Sequence, residues 1–528
     1  MTMHRHSLIA FLLIAVTLAV YWPVCGYDFV QFDDSIHVYD NPYLNPVTLS
    51  SVLHLWLSTH KRLYIPLTWS VWAMAAGYSR YVSAGVPGVG LNPCIFHTVN
   101  LTLHLLTVLA VFAILRMLLR YCVRDSGRGP GVCGFAGSEW AAGFGALLFA
   151  LHPLQVQAVA WVTGMKDVLS GFLSMVAMWQ YIAYVIASSG AAGNIENNHA
   201  APVLKRRARL HYIAASVAFI LALLSKPVAV AVLPAAWVVD CCVLGRPARK
   251  GAAALIGWAA AAAPIVLLAK LAQPAASVLF VPPLLKRLLV AGDAVAFYCY
   301  KLFLPFRLGI DYGRTPDFVL RHGWIYLTGI LPWGAAALIC LGANRRIWLA
   351  SLAIFIAGIL PVSGLIPGVF SNISTVQDHY LYFAMLGPAL ALAWFLSLRR
   401  GALTRVFCAL IVGLLGMLSV LQCRTWQNSI TLFEHALEVN PDSWFVHTSL
   451  GVVLVRQGKL DEAIFQYREA IRVKPGFSMA HCNLGHVLAA QGKYDEAVSH
   501  YREALLITPD FTSARKGLRY ALRKTGEM

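Results

Sequence analysis

The sequence predicts an all-α protein in two parts, a polytopic membrane domain followed by a solenoid of paired helices. Three observations carry that prediction. The first is composition: of 528 residues, 59% are apolar and only 12% are charged, about half the charge of an ordinary soluble chain. The apolar residues fall in runs of about 17–25, long enough to cross a bilayer. The second is the placement of basic residues. A net charge of +18 could suit nucleic acid, yet Lys and Arg cluster in short stretches between apolar runs, which positive-inside bias explains with no nucleic-acid partner. The third is a C-terminal period of 34 residues.

Residues 1–24 begin with His4, Arg5 and His6 and continue as an apolar run. No small-x-small cleavage site follows, so the segment reads as an uncleaved first helix with its start inside. Basic clusters orient the rest. Arg116, Arg120, Arg124 and Arg128 follow the second run, Lys205, Arg206, Arg207 and Arg209 the fourth, and Arg246, Arg249 and Lys250 the sixth. Arg345–Arg346 and Arg399–Arg400 mark two later turns. All share one side if about eleven spans occupy 7–24, 96–120, 140–158, 167–187, 210–225, 228–244, 252–271, 324–342, 347–366, 380–397 and 404–423. Residues 284–305 are also apolar but carry Lys286, Arg287, Asp293 and Lys301. Each ionisable group at a bilayer centre costs about 2.5–3.5 kcal/mol, so this stretch reads as an interfacial helix within a long outer loop, 272–323. The membrane domain then covers 1–423, with a first outer loop at 25–95 and the C-terminus outside.

With topology set by Lys and Arg, the unusual polar groups gather at the outer face. Asp33 and Asp34 lie in the first outer loop. His97, Asn100 and His104 share one face of the second span, from its outer end. His152 ends the third span, Lys166 and Asp167 open the fourth, and Lys226 joins the fifth to the sixth. Asp311 and Tyr312 lie in the long loop, and Asp378, His379, Tyr380 and Tyr382 precede the tenth helix. Turns and caps account for Asp-Asp-Ser, and an aromatic belt for Tyr380 and Tyr382. Neither explains a histidine inside a span. Convergence on one outer cavity fits a membrane enzyme or a transporter. The eleven cysteines are scattered, with no CxxC and no zinc spacing; Cys25 and Cys94 share an outer loop and could pair.

Residues 444–477 and 478–511 align at the 34-residue period. Leu450-Gly451 matches Leu484-Gly485, Ala463 matches Ala497, Tyr467 matches Tyr501, Ala470 matches Ala504 and Pro475 matches Pro509. This is tetratricopeptide spacing, in which small residues let paired helices touch and proline ends the second. Phe433, Ala436 and Pro441 supply the second half of a preceding repeat, and 512–528 reads as a capping helix, so the solenoid covers 424–528. Such an array offers a groove to a peptide or protein, with Asn483, Lys493 and Arg502 as its candidate lining.

Several motifs coincide in order: Phe32-Asp33-Asp34 with Asp40-Asn41-Pro42; Pro66-Leu67-Thr68-Trp69; Phe96-His97 with Asn100-Leu101 and Leu103-His104; His152-Pro153-Leu154 with Val159-Ala160-Trp161-Val162; Lys166-Asp167-Val168-Leu169-Ser170; Lys226-Pro227; Asp311-Tyr312; and Asp378 with Tyr380 and Tyr382. With the repeats behind them, the whole chain resembles membrane glycosyltransferases of type C fold, the transmembrane and tetratricopeptide-containing protein O-mannosyltransferases and their bacterial relatives. The resemblance implies an inverting transfer of a mannose-like hexose from a polyprenyl-phosphate donor to a Ser/Thr or other outer-side acceptor. It implies Asp34 or Asp33 as general base, with Asp34 preferred, and Lys166, Lys226 and His379 as stabilisers of the leaving phosphate. It implies a site on the outer, periplasmic or lumenal, side; with the Lys/Arg topology this gives the expectation of a bacterial inner-membrane protein, N-terminus cytoplasmic and repeats outside. No cofactor is firmly implied and a divalent cation is left open.

Three departures mark this chain. Gln155 and Gln157 stand where relatives commonly have His and Glu, His379 replaces an Arg, and Tyr64-Ile65 replaces an Arg or Trp region. Two other classes remain open on the residues alone: a non-catalytic membrane scaffold acting through its repeats, and a transporter.

Overall fold

The computed structural model describes residues 2–83, 90–125, 135–193, 200–273, 280–342, 345–399 and 401–526. Arg128 and Arg400 lie outside the described residues, as do parts of the 25–95 and 272–323 loops. Among the described residues there is no β-strand, only two isolated bridges. The helices are, in order, α1 Thr2–Tyr21, α2 Leu49–Leu57, α3 Pro66–Val82, α4 Pro93–Asp125, α5 Phe135–Leu151, α6 Val156–Ala160, α7 Met165–Gly193 and α8 Ala200–Ser225. Then come α9 Val232–Val238, α10 Ala248–Leu271, α11 Leu284–Phe303, α12 Pro316–Arg321, α13 Ile325–Leu341, α14 Arg345–Ile359, α15 Leu386–Leu398 and α16 Ala402–Arg424. The C-terminal array is α17 Ser429–Val439, α18 Trp444–Arg456, α19 Leu460–Val473, α20 Ser478–Ala490, α21 Tyr494–Ile507 and α22 Thr512–Thr525.

This is an integral membrane protein. Among the described residues, seven helices are long and apolar enough to cross a bilayer singly: α1, α4, α7, α8, α10, α14 and α16. Their exposed faces are oily; α16 buries Cys408, Val412 and Gly416 while exposing Leu403, Phe407, Leu410 and Leu414. Such a face is stable only against hydrocarbon or a partner. The other four predicted spans differ from uniform rods. The third breaks at His152-Pro153 into segments Ser138–Leu151 and Pro153–Ala160, bent by 52°, because proline offers no amide hydrogen to the preceding turn. The sixth is a composite of 3-10, α and π turns over Pro227–Val243. The eighth and tenth are helices of 17 and 13 residues, the tenth starting at Leu386 and not at 380.

The stretch read as an interfacial helix is α11, and two of its charges, Asp293 and Lys301, are accommodated inward. Asp293 accepts from Arg314 at 2.5 Å and Thr328 at 2.7 Å, and Lys301 donates to the carbonyls of Phe306 and Arg307. The helix packs along α13, where Gly292 meets Gly329; a Cβ on Gly292 would lie 2.2 Å from the Gly329 carbonyl oxygen. The repeats form the expected antiparallel pairs. Gly451 and Gly485 are needed because a Cβ there would fall 2.5 and 2.8 Å from the Tyr467 and Tyr501 rings. Cys25 and Cys94 are both free thiols, each facing the Thr98 hydroxyl, so the suggested disulfide does not form.

Candidate active site

The site is built around Trp161, in the turn between α6 and α7. Asn100 on α4 donates to the Trp161 carbonyl at 2.8 Å and so fixes that turn. Phe32, His379 and Trp426 surround the indole at centroid distances of 4.9, 5.7 and 6.0 Å. The Lys166 ammonium stands 4.6 Å from its ring centre. Three stretches distant in sequence therefore meet on one aromatic ring.

The neighbouring carboxylates Asp33 and Asp34 have opposite surroundings. Asp34 is 1% exposed. Its Oδ2 accepts from the Val30 amide at 3.0 Å, and its Oδ1 accepts from the Thr163 amide at 3.0 Å and the Thr163 hydroxyl at 2.5 Å. Burial pushes its pKa up to about 7, against those three donors. With both oxygens engaged, Asp34 clamps the first loop to the Trp161 turn. Asp33 keeps 22% of its side chain exposed, and Lys166 Nζ lies 3.8 Å from its Oδ2, an ion pair too long for a direct hydrogen bond. Burial raises the Asp33 pKa and Lys166 opposes the rise. The more open carboxylate is thus Asp33, whereas the sequence preferred Asp34.

A second cation stands nearby. Lys226, extended at the end of α8, pairs with Asp167 Oδ1 and lies 5.6 Å from the Tyr380 ring centre. Burial lowers its pKa and Asp167 opposes the fall. Both lysines raise the local potential at His379, which burial and then their charges push well below the ordinary imidazole range. Burial and the two charges thus favour its neutral form. Its amide donates to Gln157 Oε1 at 3.0 Å. Among the described residues, His379 Nδ1, Gln157 Nε2, both Gln155 amide atoms and Asp167 Oδ2 are buried without a hydrogen-bond partner. Unpaired buried polar atoms are uncommon, and those of His379 and Asp167 lie beside Lys166 and Lys226.

The remaining candidates divide by how their polar atoms are used. His104 bonds Tyr382 Oη at 2.8 Å and the Ala150 carbonyl at 3.2 Å, tying α4 to α5 and to the stretch before α15. His152 bonds the Leu302 carbonyl at 3.0 Å and accepts from the Leu154 amide at 3.3 Å. Both imidazoles, and the Tyr382 hydroxyl, are engaged in bonds between chain segments. A Cβ on Gly171 would sit 2.3 Å from the Tyr382 ring, so α7 presses directly on this anchor. His97 is buried beside the backbone of Tyr27 and Asp28, and neither ring nitrogen makes a well-formed hydrogen bond among the described residues. Tyr312 donates to Asp378 Oδ1 at 2.7 Å, and burial lifts the Asp378 pKa to about 7. Asp311 accepts from the Gly313 amide at 2.8 Å and from the Ser443 hydroxyl, so it fastens the long loop to the repeats. Asn483 is half-buried on α20, whereas Lys493 and Arg502 are exposed on the turn before α21 and on α21 itself. These three do not share one helix face.

Among the described residues no three His, Cys, Asp or Glu side chains converge as a metal site. Sequence reasoning missed Thr163, Gln157 as a hydrogen-bond partner, Ser429 and Phe445; Trp161 was visible only as part of a motif.

A model of the tetratricopeptide repeat family matches residues 424–476 and 448–514. Protein O-mannosyl-transferase TMTC4 of Mus musculus is 27% identical over 507 residues, 84% of this chain and 63% of its own length. Protein O-mannosyl-transferase Tmtc3 of Drosophila melanogaster is 29% identical over 204 residues, 35% of this chain and 20% of its own. The Homo sapiens protein O-mannosyl-transferase TMTC1 is 34% identical over 92 residues, 17% and 9%. The chain resembles the tetratricopeptide-containing protein O-mannosyl-transferases. It spans less than two thirds of each relative's length, and the resemblance drawn from the motifs agrees with theirs.

Proposed function

We propose that this protein is an inverting membrane glycosyltransferase. It moves a mannose-like hexose from a polyprenyl-phosphate donor to a hydroxyl of a protein acceptor on the face bearing Asp33. The observation that carries the reading is the open Asp33 carboxylate beside the buried Lys166, with the half-buried Lys226 next to that lysine. A Ser or Thr hydroxyl is a poor nucleophile at neutral pH, so its proton must leave as its oxygen bonds the anomeric carbon. Asp33 takes that proton, and a positioned base of this kind contributes about 10²- to 10⁴-fold. The bond from that carbon to the phosphate oxygen breaks with its electron pair on the phosphate. Lys166 and Lys226 stabilise the growing negative charge, while the unpaired Gln157 and His379 atoms offer neutral hydrogen bonds. Similarity to proteins named O-mannosyl-transferases supports the same chemistry, with the basic loops in the cytoplasm.

The test is purified protein in detergent with radiolabelled polyprenyl-phosphate mannose and a Ser/Thr-rich peptide. Transfer by wild type that Asp33→Asn abolishes supports the reading. No transfer from mannose or glucose donors, with the peptide still bound, would favour the scaffold.

A further inference from the structure

The loop carrying Asp33 is held from two sides, and one of them is the repeat array. On the membrane-domain side Thr163 grips Asp34. On the other, the Asp28 amide donates to the Gln427 carbonyl at 3.1 Å and the Gln31 amide donates to Ser429 Oγ at 2.9 Å. The Phe32 ring meets Phe445 of α18 edge-on at 5.6 Å. The Arg456 guanidinium, at the far end of the same helix, faces the Tyr39 hydroxyl. α18 is itself anchored: its N-cap Ser443 donates to Asp311, and His435 of α17 reaches the Leu308 carbonyl at 2.8 Å. The first surface of the solenoid is thus occupied by the loop, leaving α20 and beyond for a partner.

We infer that Ser429 and Phe445 are positioning residues for the carboxylate loop, so that the first repeat helices are a working wall of the active site and not a detachable acceptor-binding arm. The inference rests on the transferase reading for its catalytic consequence, but the anchoring itself stands on geometry. A loop fixed at Asp28, Gln31, Phe32 and Asp34 leaves Asp33 little freedom, which is what placing a base within reach of a proton requires.

Two measurements on the full-length protein test it, using Ser429→Ala, Phe445→Ala and Phe465→Ser, the last an exposed control on α19. The first is hydrogen exchange. Loss of an anchor should speed exchange across residues 28–39 about tenfold while α20–α22 keep wild-type protection. The second is release of sugar from polyprenyl-phosphate mannose without a peptide, in which water replaces the acceptor hydroxyl and Asp33 takes its proton. Its kcat should fall about tenfold with donor KM unchanged. Unchanged exchange at 28–39 overturns the inference. So does normal donor hydrolysis combined with a raised acceptor KM, because the repeats would then serve the acceptor alone. If wild type neither transfers nor hydrolyses, the transferase reading fails, and the exchange result still decides whether the repeats hold the loop.

Discussion

Both ends of the helix bundle bury ionic groups, but they use them differently. At one end Glu139 of α5 holds Arg120 of α4 through Oε1 and His6 of α1 through Oε2. Both carboxylate oxygens are engaged, and the three helices are tied together. At the other end Asp33 has a cation at 3.8 Å, and among the described residues Asp167 has one unpaired oxygen and His379 one unpaired nitrogen. Buried charge by itself therefore marks helix packing as readily as chemistry. A carboxylate left open beside a cation, as Asp33 is beside Lys166, is the better marker of a site.

Substitutions that exploit this difference should rank in size. Asp33→Asn keeps shape and loses the base, so sugar transfer should fall by about 10²- to 10⁴-fold with the melting temperature in detergent nearly unchanged. A variant with wild-type turnover would break the contrast. Lys166→Met comes next, with an expected loss of about 10²- to 10³-fold in kcat from the missing phosphate stabilisation. It also makes a signed pH prediction. Asp33 must be ionised to accept a proton, and burial raises its pKa above the ordinary 3.8 while Lys166 holds it down. Transfer should therefore decline as pH falls through that raised value. Without Lys166 the declining limb should move to higher pH in the residual activity profile, and a shift to lower pH would contradict the pairing.

The helices and repeats were legible because apolar runs and a 34-residue period are local signals. So was the gathering of Asp33, Lys166, Lys226 and His379 at one face, since alternation of spans projects them there. The division of labour between Asp33 and Asp34 was not legible, because it depends on Thr163, 129 residues away, and no spacing announces that contact. The same holds for His104 and His152, whose partners Tyr382 and Leu302 are distant in sequence. Thr163→Val tests the hidden contact. Removing a hydroxyl donor from a buried carboxylate should cost about 1.5–3 kcal/mol of stability and slow transfer about tenfold by loosening the Asp33 loop. Thr163→Ser, which keeps the hydroxyl, should restore both. A Val variant with full activity and stability would leave the clamp without a role.

The smallest expected effect on activity sharpens the comparison from the other end. Glu139→Gln removes the charge that Arg120 and His6 share. The amide keeps one acceptor but presents an N–H₂ to the second partner, so one contact is lost and one cation is left unneutralised. Stability in detergent should drop by about 1.5–3 kcal/mol, the usual cost of a hydrogen bond to a charged group. Transfer per folded molecule should stay at the wild-type rate, because the partners of Glu139 among the described residues are Arg120 and His6 and not the residues around Asp33. Measuring kcat on the folded fraction separates the two effects. A large fall in kcat with unchanged stability would mean that Glu139 acts on the chemistry across the whole bundle, and spent hydrogen bonds would lose their value as a sign of purely structural charge.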